Sequence, residues 1–469
     1  MISTDSENLR VLLIVPPGNY IPGHETKHCV QPLGIAYIGS VLERAGYEIA
    51  IIDSLAEGYE NEAPIPDGYV RYGLGDDEIR SRVESFQPDI VGVSCPQSTR
   101  HYHACKVLEV TKEVNHNILT LMGGAHASSA YRELVMKEYI DLVIVGEGEE
   151  TVKNVCDRYV RGERDFSGIP GLAFRDHGGA VIFTGKGRIY KGLNTLPFPA
   201  YHLLPMDLYS KVGMTPASFT DRRRFSILIS SRGCPNNCDY CPAGVTFGHE
   251  YRKRSVENVI EEILYLRSEF DIEEILFEDS NFLYDRKRII DLCREMKKRI
   301  PGLVWSCPHG LEVSRLDDEL LKIMISAGCD TLYLAVETMN ESISGFQPNK
   351  KVKDDHLRSI ITRAQEMGVR VVCFFMLGFP GENREDLDKT LSYAKTLDLD
   401  YVCFFCATPL PGTRLFELCR DKNMLRPDLD FPMLRYSKGN IRTDSFSWKD
   451  VEFRRRSGWK TIMAGKEKK

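Results

Sequence analysis

Ser231-Arg232-Gly233-Cys234-Pro235-Asn236-Asn237-Cys238-Asp239-Tyr240-Cys241-Pro242 sets three cysteines in a turn rich in Gly, Pro and Asn, directly after the apolar run Phe225 to Ser230. A buried strand followed by such a turn lets three thiolates converge beyond the strand's C-terminal end. Iron–sulfur clusters take thiolate ligands, and three cysteines on a four-iron cubane leave one iron open to another ligand. Zinc would need a fourth donor. His249 is near, but C-x3-C-x2-C followed by x7-H is not a usual zinc spacing. Three purely structural thiols in a surface loop would be an oxidation liability.

Outward from this loop, short apolar runs alternate with amphipathic stretches. Phe225 to Ser230, Glu274 to Phe277, Leu303 to Cys307, Thr331 to Val336, Val371 to Met376 and Tyr401 to Ala407 read as strands with helices between them. Six such units over 225–420 predict a partial (β/α)6 barrel, short of the eight that close a full one. Ahead of it, Val11 to Val15, Ile49 to Asp53, Ile90 to Ser94, Ile118 to Met122 and Leu142 to Val145 predict a doubly wound, flavodoxin-like α/β domain over 10–157. Between them, over 158–224, the periodicity fades. Gly178-Gly179 and Pro197-Phe198-Pro199 there suggest a small hairpin and an extended linker. The stretch 421–469 reads as an irregular C-terminal extension. It ends in a basic tail with Arg454, Arg455, Arg456, Lys466, Lys468 and Lys469, either solvated or in contact with an anionic surface.

A chain of 469 residues exceeds what one core usually organises. A net charge of −6 gives no electrostatic reason to expect nucleic acid, so a small molecule is the expected partner. The polar N-terminus lacks a secretory pattern and no apolar run reaches spanning length, which makes the cytoplasm the expected location. There, 14 cysteines read as reduced thiols and not as a disulfide framework.

The loop C-x3-C-x2-C with an aromatic, Tyr240, before the last Cys resembles the signature of the radical S-adenosylmethionine superfamily. The resemblance extends in order through Phe277-Glu278-Asp279-Ser280-Asn281-Phe282, Ala335-Val336-Glu337-Thr338, Phe375-Met376-Leu377-Gly378-Phe379-Pro380-Gly381-Glu382 and Pro409-Leu410-Pro411-Gly412-Thr413. It implies that Cys234, Cys238 and Cys241 hold a 4Fe-4S cluster and that S-adenosylmethionine binds the open iron. Glu278 or Asp279 would receive the methionine amino group, Glu337 would meet the ribose, and Gly378 would lie near the adenine. The amino-binding segment reads Glu-Asp where the family has Gly-Gly-Glu, which leaves open the carboxylate that makes the contact. An external electron donor of flavodoxin or ferredoxin type is implied as well.

Residues 10 to 157 resemble the cobalamin-binding domain found ahead of many such enzymes. The segments that carry the likeness are Gly123-Gly124-Ala125-His126-Ala127-Ser128 and Gly146-Glu147-Gly148-Glu149-Glu150-Thr151. The ligand would lie beyond the strand ends, with Ser94, Ser98, Ser128 and Thr151 near its amide side chains and glycines, Gly34 among them, admitting close approach. The cobalt-ligating D-x-H-x-x-G is absent, since the first loop reads Pro16-Pro17-Gly18-Asn19-Tyr20-Ile21-Pro22-Gly23-His24. His24, His28 and His126 remain as possible neighbours. The resemblance implies methylation of an unreactive carbon or phosphorus in a small molecule. Cyclisation, ring rearrangement or oxidation with the same cofactors is the alternative. A tRNA methylthiotransferase and a non-catalytic cobalamin module stand further off, because 158–224 holds no second cysteine loop and the barrel is intact.

Overall fold

A computed structural model of the chain describes residues 9–176, 178–212, 224–346 and 352–464. Two compact units divide it: one takes in residues up to 216 together with 245–247, the other the remainder.

In the first unit the strands are the expected apolar runs, because a parallel sheet covered by helices on both faces buries every side chain. Val11, Leu12, Leu13 and Ile14 are fully buried. Arg10–Val15, Glu48–Asp53, Ile90–Ser94, Leu119–Gly123 and Leu142–Ile144 are all parallel, and across the sheet they run second, first, third, fourth, fifth. This is the flavodoxin-like order, and its direction reverses between the first and third strands, where such sheets bind ligands.

The first compact unit continues past the expected boundary at 157. The hairpin Leu172–Arg175 and Val181–Phe183 adds antiparallel to the fifth strand, so it covers that edge of the sheet and belongs to the unit. Further along, the Tyr209 hydroxyl donates to the fully buried Asp53 at 2.6 Å, so the chain is still tied to this core beyond 200. A small antiparallel sheet of Gly18–Tyr20, Glu62–Ile65 and Tyr69–Tyr72 was not visible in the sequence.

The second unit is built on Phe225–Leu228, Glu274–Phe277, Val304–Ser306, Cys329–Glu337, Arg370–Leu377 and Tyr401–Cys406, neighbours in chain order and all parallel. This is the open six-stranded barrel that the alternation predicts, with Phe277, Trp305, Tyr333 and Phe375 fully buried along its strands.

The C-terminal extension is more regular than expected. Trp448–Met463 is a helix, started by a reciprocal cap in which the Ser447 hydroxyl accepts from the Asp450 amide and the Asp450 carboxylate accepts from the Ser447 amide. Arg454 forms a two-pronged ion pair with Asp388 (2.8 and 3.1 Å), and Arg455 Nε donates to the Phe404 carbonyl at 2.8 Å. These two arginines therefore brace the last barrel strand and the helix Arg384–Lys395 and are not part of a solvated tail. Lys466, Lys468 and Lys469 lie outside the described residues. Among the described residues no helix is long and apolar enough to cross a membrane.

Candidate functional site

The cysteine loop leaves the first barrel strand through a root with few degrees of freedom. Ser231–Arg232 pairs antiparallel with Arg252–Lys253, which staples the loop's two ends. Asp279, at the exit of the second strand, accepts from the Ser230 amide (2.6 Å), the Ser230 hydroxyl (2.7 Å) and the Ser231 hydroxyl. Arg288 Nη2 and the Arg254 amide both donate to the Ser230 carbonyl, and Arg254 is itself paired with the buried Glu262. At Gly233 (φ +82°) a Cβ would stand 2.1 Å from the Glu250 carbonyl oxygen, so the turn admits no side chain there.

Of the 14 cysteines, the described structure buries ten and leaves Cys403 half-buried; Cys234 and Cys238 are half-buried and Cys241 is exposed. None is in a disulfide. Apart from Cys403, the loop thiols are thus the reachable cysteines. No three His, Cys, Asp or Glu side chains among the described residues gather around one point as a single metal ion requires. A cubane takes each thiolate on a different iron and so does not ask three sulfurs to meet at one ion. His249 Nδ1 lies 3.3 Å from the Cys234 carbonyl oxygen and is thereby drawn to the backbone. The donor set fits an iron–sulfur cluster.

The later motif segments close around this loop. The Tyr240 ring meets Phe379 edge-on at 5.6 Å between centroids. Burial, then the Glu337 carboxylate and the Cys238 and Cys241 thiols, push the Tyr240 phenol well up, so it stays protonated beside them. Glu337 has φ +63°, next to a register shift in its strand, and the Thr338 amide closes a three-residue turn onto the Val336 carbonyl at 2.7 Å. A non-glycine residue there carries strain of about 1–3 kcal/mol, which the buried strands on either side sustain. The Gly378 and Phe379 amides both donate to Glu382 Oε2 at 2.8 Å. Burial raises the Glu382 carboxyl to about 7, against the pull of those two amides.

The adjacent carboxylates Glu278 and Asp279 are distinguished here. Asp279 accepts three hydrogen bonds from Ser230 and Ser231, while Glu278, raised by burial, pairs with the exposed His309. Sequence reasoning missed His309 and also Tyr436, which lies in the extension. Tyr436 is 47% exposed, meets the Phe405 ring edge-on at 5.6 Å between centroids, and stands near Cys241 and Glu337. No signal in the sequence placed a residue from 421–469 beside the cysteine loop.

In the first unit most of the expected cofactor residues turn inward. His126 Nδ1 meets the Ser98 hydroxyl at 2.9 Å and its Nε2 meets His101 Nδ1 at 2.8 Å, so both ring nitrogens are held by protein and neither is directed to a cobalt ion. Burial, and then His101, push His126 down to about 3, so it is neutral. The Ser128 hydroxyl donates to the Gly124 carbonyl (2.9 Å) and accepts from the Gly146 amide (3.0 Å). Glu147 accepts from the Tyr190 amide (3.1 Å), and Thr151 donates to the Pro170 carbonyl (3.1 Å). At Gly124 a Cβ would come within 2.7 Å of the Cys95 backbone; Gly148 abuts Ile38 and Gly123 abuts Ile144. By contrast, nothing lies within 4 Å of where a Cβ would sit on Gly34, and nothing nearer than 3.9 Å on Gly146. The half-buried Ser94 ends the third strand. Two bare glycine backbones beyond the strand ends fit a broad, flat cofactor such as cobalamin, and the inward-turned residues hold their loops in shape.

A family model for the Radical SAM superfamily matches residues 228–394, and one for the B12 binding domain matches 21–156. An uncharacterized methyltransferase of Pyrococcus horikoshii is 33% identical over 89% of this chain and 84% of its own length. The cytidylyl-2-hydroxyethylphosphonate methyltransferase of Streptomyces wedmorensis is 30% identical over 93% and 86%. An anaerobic magnesium-protoporphyrin IX monomethyl ester cyclase of Rubrivivax gelatinosus is 26% identical over 88% and 70%. The structure of the radical S-adenosylmethionine methyltransferase TsrM of Kitasatospora setae, with cobalamin and [4Fe-4S] cluster bound, shares the fold: TM-score 0.70 at 16% identity, covering 95% of this chain and 81% of that one.

Proposed function

The chain belongs to the radical SAM superfamily, with a B12-binding domain ahead of its barrel, and from that premise we propose that it methylates an unactivated carbon, or a phosphorus centre, of a small-molecule biosynthetic intermediate. The observation that carries the reading is the set of three reachable thiols with Tyr240, Glu337 and the Gly378 turn drawn in around them. When bound, the cluster with S-adenosylmethionine supplies a carbon-centred radical, and cobalamin supplies a transferable methyl group. Cys234, Cys238 and Cys241 hold three irons. Glu278 takes the methionine ammonium, because three of the four acceptor sites on its neighbour Asp279 are already taken by Ser230 and Ser231. Glu337 receives the ribose, and Glu382 fixes the two amides of the turn beside the adenine. Gly34 and Gly146 admit the corrin, while Ser94 and the loops shaped by His126, Ser128, Glu147 and Thr151 take its amide side chains. Phe379, Tyr240 and Tyr436 limit water near the reacting atoms. An external flavodoxin- or ferredoxin-type donor supplies the electron, in the reducing cytoplasm.

Methyl transfer is favoured over cyclisation because two relatives at 30% identity or more are named methyltransferases, whereas the cyclase relative is more distant. A cytidylylated hydroxyethylphosphonate is the first substrate to try, with trideuteromethyl-labelled S-adenosylmethionine and mass spectrometry of the product. The expected result is a labelled product, with S-adenosylhomocysteine and 5′-deoxyadenosine formed in about equal amounts, one cofactor molecule being spent for each. For any substrate that is turned over, an unlabelled product alongside accumulating 5′-deoxyadenosine would overturn methyl transfer and leave a radical cyclisation or oxidation.

A further inference from the structure

A second polar cluster adjoins the cysteine loop, and nothing above uses it. Asn236, inside the loop, and Asn281, just past the second barrel strand, both donate their amide nitrogens to Oε2 of Glu312, at 2.9 and 3.2 Å. Arg315 Nε donates to the same oxygen at 2.9 Å, and the Ser314 hydroxyl donates to Oε1 at 3.0 Å. Asn236, Asn281 and Glu312 are all buried. A carboxylate only accepts, so it fixes which way the Asn281 amide is turned: the NH2 faces Glu312, and the same nitrogen lies 3.9 Å from Cys234 Sγ, within reach of a sulfur acceptor.

We infer that Asn281 is a positioning residue for the Cys234 ligand, held by Glu312 so that its amide N–H points at the sulfur and sets the potential at which the cluster accepts an electron. Donors to a ligating sulfur stabilise the added negative charge of the reduced cluster, and groups outside the ligand set tune a metal centre in this way. An arrangement that served only to tie the loop down would need Asn236 and Glu312 but no donor at the sulfur. The inference rests on the cysteine loop holding a cluster and stands whether or not a methyl group is transferred.

The test is a redox titration of the anaerobically reconstituted full chain, followed by electron paramagnetic resonance, with iron counted in parallel. Asn281→Leu is expected to keep its iron and shift the midpoint to more negative potential. Asn281→Ala, which removes the same donor from a smaller side chain, should shift it the same way. A wild-type midpoint in iron-replete Asn281→Leu overturns the inference. Should Asn281→Leu fail to load iron, Asn281→Ala decides alone: full iron with an unchanged midpoint overturns the inference, and so does loss of iron from both, which would make the cluster of residues a scaffold only.

Discussion

Glu278 and Asp279 are chemically alike and adjacent, yet their surroundings give them different tasks. Removing Asp279 leaves the Ser230 amide and two serine hydroxyls buried without their acceptor, at about 1–3 kcal/mol for each group that finds no other partner. Asp279→Ala should therefore lose roughly 3 kcal/mol of stability in denaturant titrations and fail to hold iron, whereas Glu278→Gln should keep both and bind S-adenosylmethionine more weakly. Equal iron content in the two variants would contradict this division. His126 makes a second residue-scale prediction. The folded imidazole takes a proton only near 3, while the unfolded one does so near 6.5, so between those values the unfolded chain binds more protons. Stability from this residue is complete above about pH 6.5 and is lost as pH falls toward 3, amounting to about 1 kcal/mol by pH 5.5. Urea midpoints at pH 7.5 and 5.5 should draw together in His126→Gln relative to wild type.

At the scale of elements, the helix Trp448–Met463 shows how a segment without an apolar stripe can still be ordered. Within it only Val451, Gly458 and Met463 are buried, and what holds it is its cap and the Arg454 and Arg455 bonds. Its Val451 side chain lies 2.9 Å from where a Cβ on Gly378 would stand, so the helix backs the turn assigned to the adenine. Gly458 is small because Leu391 fills the space, with Cδ2 2.5 Å from the position of a Cβ. Gly458→Val should cost about 1–3 kcal/mol by overpacking, seen as a lower melting temperature with iron content unchanged. A variant that melts with wild-type would mean the helix can shift at no cost.

For the whole molecule, the two units carry separate cores and separate cofactor chemistries. Replacing Cys234, Cys238 and Cys241 together with Ala should abolish iron binding and reductive cleavage of S-adenosylmethionine while cobalamin absorbance is retained after reconstitution. Full iron in that variant would remove the cluster from this loop, and loss of cobalamin along with the iron would show that the units fail together.

What the sequence determined by itself was whatever short-range chemistry encodes. Apolar runs of five or six residues become buried parallel strands wherever helices cover both faces, so strand order and the open barrel followed from spacing, and C-x3-C-x2-C identified its own chemistry because few centres need three thiolates so close together. Only the tertiary structure decided matters that depend on which distant groups meet. Nothing local tells Asp279 from Glu278 until Ser230 and Ser231, nearly fifty residues earlier, fill one and His309 meets the other. His126 reads as a possible ligand until His101 and Ser98 take both of its nitrogens. Tyr436 and Glu312 carry no motif at all, and Asn281 lies in a motif that gives it no role. Their places beside the cysteine loop come from packing between segments far apart in the chain, where a hydrogen-bond partner is chosen by geometry and burial and leaves no periodic trace in the sequence.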